Sequence, residues 1–158
     1  MYKSGVILLT LIFAATQVSF GQEDSLSSYS VYFHSETSIL MAESEEQLQE
    51  LLQMLNENPN TRIKLHGHTN GDPSGSYTRL GENDTVFFKM AGSHELTSGS
   101  AKNLSYDRAL TVKLYLVWKG INPDRIKVKG WGGKKLLYAE SSHFVQKNRR
   151  VEVEVLAE

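Results

Sequence analysis

The sequence contains no cysteine. It can therefore be neither a disulfide scaffold nor a lipoprotein acylated at an N-terminal cysteine. It also has almost no net charge, with a formal value of −1 at pH 7. Because a nucleic-acid-binding domain normally carries a basic surface, this balance gives no electrostatic reason to expect a nucleic acid partner.

Motifs of catalysis and cofactor binding are missing as well. No nucleophile has a base beside it at a recognisable spacing, and no glycine-rich motif can cradle a phosphate. We therefore predict a protein that is not an enzyme and uses no cofactor. The chain has 158 residues, of which 40% are hydrophobic, and this suits one globular domain with a substantial core.

Residues 1–21 are typical of a secretory signal peptide. A single lysine precedes a short apolar run at 6–15, and small residues stand just before a polar stretch. We predict cleavage before Gln22; the alternative is an uncleaved anchor, for which the apolar run is short. Residues 22–28 are polar and serine-rich, and they predict a short flexible leader.

Hydrophobic periodicity predicts a strand, a helix and a second strand after the leader. Alternating β-formers indicate a strand at 29–33, and leucines at helical spacing indicate a helix with a capping box at Ser44 and an end near Asn58. Ile63 and Leu65 then alternate with polar residues. This alternation predicts a half-exposed second strand.

Residues 71–102 are rich in glycine, serine, proline and asparagine and predict a long loop. Such a loop in a small domain is usually functional or mobile. Its one apolar island contains Phe87 and Phe88. These side chains either pin the loop to the domain or form a lid over Arg108, and we predict pinning. A patch that binds a protein partner is the third possibility.

A second helix is predicted to begin at Ser105, because the serine hydroxyl can cap the amides of the following turn. Gly120 supplies the C-terminal stop. Strands are expected at 125–130 and 150–156, and the second of these alternates valine with glutamate. That alternation indicates one face in the core and one in water. The helix should bury Ala109, Val112, Tyr115 and Leu116.

This order of elements predicts an α/β (α+β) sandwich. A single mixed sheet of about four strands is expected to carry its helices on one face. With the helix beginning at Ser105, Arg108 occupies the third helical position, where free amides and the helix dipole favour an anion. Its guanidinium can also form two charge-assisted bonds with a carboxylate. Arg108 is therefore the first candidate ligand contact; the alternative is a surface arginine paired with Asp107 or another local carboxylate.

Two histidines and a tryptophan are weaker candidates. His66 and His68 stand two residues apart, as metal ligands can, but no cysteine or suitable carboxylate accompanies them. We therefore expect no metal site, and we expect His68 to hydrogen-bond the backbone at the end of its strand. Trp131 either packs at a strand end or stacks on a sugar ring, and we predict packing.

Three motifs together resemble a known family. Gly-His-Thr at 67–69, Leu-Ser-x-x-Arg-Ala at 104–109 and Asn-Arg-Arg-Val at 148–151 are similar to those of the C-terminal OmpA-like domain. Outer-membrane proteins, peptidoglycan-associated lipoproteins and stator proteins of the MotB type share this domain. The resemblance covers residues 29–156, with 71–102 as a long inserted loop.

The resemblance implies non-covalent binding of peptidoglycan through the diaminopimelate of its stem peptide. In the family, an arginine meets the carboxylate of the ligand and an aspartate meets its ammonium. Arg108 matches the arginine that binds the carboxylate, and Thr69 matches the threonine of the Gly-His-Thr motif. Asn70 stands in place of the aspartate. Since a charge-assisted hydrogen bond is about twice as strong as a neutral one, the change costs on the order of 1–2 kcal/mol, about tenfold in affinity.

Other positions bear on the same site. Glu36 and Asp72 are the candidates to restore the missing negative charge from a different direction. Of Arg149 and Arg150, one is expected to anchor the last strand and the other to reach the ligand. Ala101 is a second departure, because the family usually has asparagine there.

Two functions follow from the resemblance and its departures. The first is a peptidoglycan-binding module in the periplasm of a Gram-negative cell, associated with the outer membrane or the cell wall. The second is a degenerate OmpA-like domain whose 71–102 loop binds a protein partner in an envelope or secretion assembly. The retained Arg108 favours the first, and Asn70 with Ala101 favours the second.

Overall fold

The computed structural model describes residues 29–71, 74–90 and 94–156 of the chain. The predicted signal peptide, the leader and Asp72 lie outside these residues. In chain order the helices and strands are β1 (Ser30–Tyr32), α1 (Glu45–Glu57), β2 (Arg62–Gly67), β3 (Ser74–Arg79), β4 (Glu95–Ser100), α2 (Ala101–Trp118), β5 (Ile126–Gly130) and β6 (Arg150–Leu156).

Four strands form one mixed sheet in the order β1, β6, β2, β5. Strand β6 lies antiparallel to both β1 and β2, whereas β2 and β5 are parallel. A parallel pair needs a long crossover, and α2 provides it. The predicted single mixed sheet of four strands is confirmed.

The core lies between the two helices and one face of this sheet. Polar residues occupy the other face, where Lys64 pairs with Glu154 and His66 pairs with Glu152 across β2 and β6. The alternation read from the sequence therefore assigns the faces correctly. The buried residues of the sheet are Val31, Ile63, Leu65, Ile126, Val151 and Val153, and those of the helices include Leu48, Leu51, Leu55, Ala109, Val112, Tyr115 and Leu116.

Helix α1 ends at Asn58 as predicted, but Ser44 does not form the predicted capping box. A short 3-10 turn, Ala42–Ser44, precedes the helix and leaves Ser44 in a helical conformation, whereas a capping residue is usually extended. The Ser44 hydroxyl instead accepts a hydrogen bond from the Tyr32 amide at 2.8 Å. Ser44 thus ties the start of α1 to β1.

The prediction of a loop at 71–102 is wrong in part, because this segment contains a β-hairpin formed by β3 and β4. Strands β3 and β4 pair antiparallel over their full length. The Thr78 amide donates to the Glu36 carbonyl at 3.0 Å, and the Ser38 amide donates to the Thr78 carbonyl at 2.9 Å. These bonds attach β3 to the segment that follows β1. No described residue of β4 is buried, so its sequence lacks the apolar alternation that reveals a strand.

The N-cap of helix α2 lies five residues earlier than predicted. Ser100, not Ser105, is its N-cap: the Ser100 hydroxyl accepts from the Asn103 amide at 3.3 Å, and the Asn103 side chain accepts from the Ser100 amide at 3.1 Å. This reciprocal pair is a capping box built with asparagine in place of the usual Glu or Gln. The other end agrees with the prediction, since Gly120 follows the helix with a φ of 98°.

The two phenylalanines of the hairpin connection pin it to α2. Phe87 is buried, and its ring meets that of Tyr115 edge-on with centroids 5.3 Å apart. Phe88 makes a similar contact with Tyr115 at 5.7 Å. Tyr115 lies about two turns beyond Arg108 on the same helix. The structure therefore shows these two side chains pinned against α2 and not lying over Arg108 as a lid.

Within the described ranges, neither helix combines the length and apolarity needed to cross a membrane.

Candidate functional site

Helix α2 approaches the ends of β2 and β5 so closely that only glycine fits beneath it. Gly67 and Gly130 are paired across the two strands. A Cβ atom at Gly67 would lie 1.7 Å from the Ser105 carbonyl oxygen, and one at Gly130 would lie 2.7 Å from the Ser105 hydroxyl. That hydroxyl accepts a hydrogen bond from the Gly132 amide at 2.8 Å. This contact fixes the helix over the strand ends and positions Arg108 there.

Arg108 is buried, with 1% of its surface exposed. Its Nε donates to the carbonyl oxygen of Thr37 and its Nη1 to that of His68, both at 2.9 Å. Nη2 lies 3.5 Å from the carbonyl oxygen of His34. Since α2 begins at Ala101, Arg108 lies about two turns inside the helix, and its predicted place in the first turn is wrong.

The alternative of a surface arginine paired with Asp107 is also wrong. Asp107 accepts a hydrogen bond from the Tyr77 hydroxyl at 2.6 Å and forms no ion pair with Arg108. The side chains of these two neighbouring residues therefore contact different parts of the domain. Asp107 faces the hairpin, whereas Arg108 faces the end of the sheet.

Arg108 has a second arginine beside it and no acid. Arg149 is half-buried, and its Nε lies 3.5 Å from the carbonyl oxygen of Phe33. Of the carboxylates that the structure describes, none lies within ion-pair distance of either guanidinium. Burial lowers the pKa of both groups, and the charge of Arg149 contributes to lowering the pKa of Arg108 to about 9. Both remain charged at neutral pH, so the site carries two positive charges without a counter-ion among the described residues.

Thr69 and Asn70 lie where β2 ends. Thr69 is buried, and its hydroxyl donates to the Gly71 carbonyl at 2.7 Å while its amide donates to the Gly132 carbonyl at 3.0 Å. The Asn70 side-chain oxygen accepts a hydrogen bond from the amide group of Asn148 at 3.1 Å. The structure therefore presents Asn70 as an oriented acceptor without charge.

Glu36 precedes Thr37 on the segment that accepts the Arg108 bonds. It is exposed, and its backbone is left-handed with a φ of 49°, which is unusual for a residue other than glycine. Strained backbone of this kind is concentrated at functional sites. Asp72, the other predicted source of charge, is outside the described residues.

Arg150 is the anchoring arginine of the pair at 149–150. It is buried, and its Nε and Nη2 both lie within 2.8 Å of one carboxylate oxygen of Glu152. His68 lies on the other side, with its Nε2 3.5 Å from the second oxygen of Glu152. The contact with His68, which at 3.5 Å falls short of a hydrogen bond, lowers the pKa of Glu152 to about 2 together with Arg150. The expected backbone bond from the His68 ring is wrong, because neither ring nitrogen has a hydrogen-bond partner among the described residues.

Trp131 and His66 contact each other beside the end of β5. Trp131 packs as predicted: its indole N–H donates to His66 Nδ1 at 2.8 Å. The Nζ atoms of Lys129 and Lys135 lie 3.7 and 3.9 Å from the ring centroid, so lysines occupy the surface that a sugar would need. The described residues include no cluster of three or more possible metal ligands.

Sequence reasoning missed the segment at 33–37, which supplies the carbonyl groups around Arg108. Backbone acceptors carry no residue-type signature, and this segment is more than 70 residues away from Arg108 along the chain. Only the packing of α2 against the end of the sheet brings them together. No local pattern in the sequence indicates that contact.

The OmpA family model matches residues 32–150. The chain belongs to the OmpA family. Three solved structures share the fold of this OmpA domain. The peptidoglycan-associated lipoprotein of Burkholderia pseudomallei has a TM-score of 0.58 at 19% identity, over 81% of this chain and 90% of that one.

Two further structures are similar to the OmpA domain described above. A putative MotB-like protein of Desulfovibrio vulgaris has a TM-score of 0.56 at 22% identity, over 81% of this chain and 71% of that one. The periplasmic domain of Helicobacter pylori MotB has a TM-score of 0.55 at 15% identity, over the same shares of the two chains. No curated protein matches the sequence. At these identities the likeness establishes the fold.

Proposed function

We propose that this OmpA domain is a binding module, without enzymatic activity, that attaches non-covalently to peptidoglycan. The ligand group is a carboxylate of diaminopimelate in the stem peptide. The observation that carries the proposal is the pair Arg108 and Arg149, which has no acidic partner among the described residues. Membership of the family and the name of a structural relative, the peptidoglycan-associated lipoprotein, support it.

The two arginines have different parts in this proposal. Three backbone carbonyls hold Arg108 in place, so it contributes a fixed positive charge and little freedom to move. Arg149 has one long bond and is half-buried, which leaves donors for a ligand. A guanidinium can bind a carboxylate through two parallel hydrogen bonds. Arg149 is therefore the direct contact, and Arg108 strengthens it through its charge.

The partner of the ligand's ammonium group is weaker than the arginine pair that binds its carboxylate. Asn70 offers one amide oxygen, already engaged by Asn148, and no charge. Thr69 frames the position through its backbone contacts. Glu36 and Asp72 are the proposed sources of compensating charge, and Glu36 lies on the same segment as the Arg108 acceptors. Charge reversal at each, tested singly, should weaken binding; unchanged binding in both variants would eliminate compensation.

Co-sedimentation with purified diaminopimelate-type sacculi tests the proposal. The parent protein should pellet with the sacculi, and Arg149→Gln should bind roughly tenfold more weakly because it loses a charge-assisted pair. Arg79→Gln is the matched control, since Arg79 lies on the hairpin and pairs with Glu95. Equal pelleting of the parent and Arg149→Gln, or no pelleting of the parent, would contradict the proposal.

The hairpin favours a second candidate function, the binding of a protein partner in an envelope or secretion assembly. Strand β4 has no buried residue in its described length, and Leu96 on it is 78% exposed. A leucine so exposed on an outer strand suits a contact with another protein. Failure of the parent to bind sacculi, together with capture of an envelope protein that Leu96→Ser abolishes, would support this function over the first.

The proposed function places the protein outside the cytoplasm. The predicted signal peptide at 1–21 would export it, and peptidoglycan would hold it in the periplasm near the outer membrane or cell wall. One structural relative is named as a periplasmic domain. Fractionation of cells that express the full chain tests this: recovery in the cytoplasm would contradict it.

A further inference from the structure

A cavity of about 260 Å³ lies between the β3–β4 hairpin and α2, on a different surface from the arginine pair. At about 30 Å³ for each water in the liquid, this corresponds to roughly nine waters, enough for a small organic molecule. Leu80, Leu110 and Leu114 contribute apolar walls. The cavity shares no lining residue with the peptidoglycan site proposed above.

Two buried hydroxyl groups, those of Ser38 and Thr111, lie at the floor of the cavity. Ser38 and Thr111 are both 1% exposed, and their hydroxyl oxygens are 3.2 Å apart. The Ser38 hydroxyl also accepts from the Leu80 amide at 3.1 Å. Whichever hydroxyl donates to the other, one of the two hydroxyl hydrogens has no acceptor among the described residues. A buried donor without a partner is costly, so the floor favours a ligand that brings an acceptor.

The rest of the lining is acidic. Arg79 and Glu95 form an ion pair with each other, so their charges cancel. Asp107 and Glu82 remain, and among the described residues neither lies within ion-pair distance of a cationic group. The Tyr77 hydroxyl orients the Asp107 carboxylate through a 2.6 Å hydrogen bond without neutralising it. The four charged residues of the lining, one arginine and three acids, therefore leave the cavity with a net negative charge above the two buried hydroxyls.

We propose that this cavity binds a small primary amine whose aliphatic chain ends in a hydrogen-bond acceptor. The ammonium lies between Asp107 and Glu82, the chain contacts Leu110 and Leu114, and the terminal oxygen accepts the spare hydrogen of the Ser38–Thr111 pair. An amino alcohol has all three features.

Titration of the protein with aminopentanol, followed by NMR of the backbone amides, tests the proposal. Amides near the cavity, at 80–82 and 107–114, should shift and saturate. Pentanol lacks the ammonium and pentylamine lacks the acceptor, so each should bind roughly tenfold more weakly. Equal affinity for aminopentanol and pentanol would overturn the assignment of the carboxylates, and equal affinity for aminopentanol and pentylamine would overturn the assignment of the floor.

Variants distinguish binding of aminopentanol at the cavity from binding elsewhere on the surface. Asp107→Asn keeps an acceptor for Tyr77 and should weaken aminopentanol binding roughly tenfold, and Glu82→Gln should weaken it in the same direction. Glu50→Gln, an exposed position on α1, is the matched control. Arg149→Gln should leave this binding unchanged, so the outcome is independent of peptidoglycan binding. Binding that is unaffected by both cavity variants, or no saturable shift with the parent, would overturn the proposal.

Discussion

Arg108 reaches from the middle of α2 to the end of β2, where its Nη1 donates a 2.9 Å hydrogen bond to the carbonyl oxygen of His68. The same guanidinium holds the Thr37 carbonyl, so one side chain joins a helix, a strand end and the segment after β1. The residue that the sequence indicates as a ligand contact is thus also a structural support. Binding experiments at this site must separate the two roles.

Removal of the guanidinium should destabilise the domain. Arg108→Met keeps much of the apolar stem but leaves the Thr37 and His68 carbonyls without their donors. Each buried unsatisfied group costs about 1–3 kcal/mol, so we expect a loss on the order of 2–4 kcal/mol in the free energy of unfolding. Urea denaturation measures it. Arg79→Met, which breaks an exposed ion pair, should cost less than about 1 kcal/mol; equal losses in the two variants would contradict the structural role.

Gly67→Ala should be strongly destabilising. The added Cβ would overlap the backbone of Ser105, which cannot rotate away as a flexible side chain can. Forced overpacking of this kind costs on the order of 1–3 kcal/mol or more, as α2 must move away from the sheet. Chemical denaturation measures the loss, with Ser98→Ala at an exposed position of β4 as the control. A Gly67→Ala protein as stable as the parent would show that α2 does not lie this close.

Stability should rise with pH across the acid range. Burial lowers the pKa of His68 from 6.5, and close contacts with His68 and Arg150 lower the pKa of Glu152 from 4.5 to about 2. Both folded-state values are below the unfolded ones, so the folded protein binds fewer protons in acid. The stabilisation is complete above pH 6.5. The contribution of His68 declines as the pH falls below 6.5, and that of Glu152 is lost between pH 4.5 and about 2.

Denaturation curves at a series of pH values check this dependence. The contribution of Glu152 is on the order of 3 kcal/mol, at about 1.4 kcal/mol for each pKa unit. Glu152→Gln should therefore flatten the slope below pH 4.5, whatever its effect on stability at neutral pH. Glu50→Gln, at an exposed position on α1, is the control. A parent whose stability does not fall between pH 6.5 and 3 would contradict the assignment.

Asn70→Asp should strengthen binding to diaminopimelate-type sacculi. The carboxylate would keep the hydrogen bond from Asn148 and add the charge that an ammonium requires. A charge-assisted bond in place of a neutral one corresponds to about tenfold in affinity. Co-sedimentation measures the change. Asn83→Asp adds the same charge at an exposed position elsewhere and should have no effect; an equal gain in both variants would show that only net charge matters.

The sheet and the buried faces of the helices were predictable because buried positions are apolar and recur at the period of the strand or helix. Strand β6 is the clearest case: alternating valine and glutamate gave its bounds and the buried face of Val151 and Val153, although Val155 near its end is exposed. The sequence of strand β4 has no such periodicity, since none of its described residues is buried in the core. The start of α2 was misplaced because Ser105 has a good capping side chain, while the actual box pairs Ser100 with Asn103.

The site residues stay a prediction, but the structure does bring several of them together. Arg108 donates to the His68 carbonyl just after β2, Asn70 follows β2, and Arg149 precedes β6. Their surroundings were not predictable, because the acceptors around Arg108 are backbone carbonyls from distant segments. The separate roles of Arg149 and Arg150 also depend on Glu152, whose side chain selects Arg150.

The central claim is that the arginine pair binds a carboxylate of diaminopimelate, and displacement from sacculi tests it most directly. Protein bound to diaminopimelate-type sacculi is challenged with free diaminopimelate or with cadaverine, which has the same two amines and no carboxylate. Diaminopimelate should release the protein and cadaverine should not, and Arg149→Gln should show little binding to release. Release by both compounds alike, or by neither, would contradict the claim.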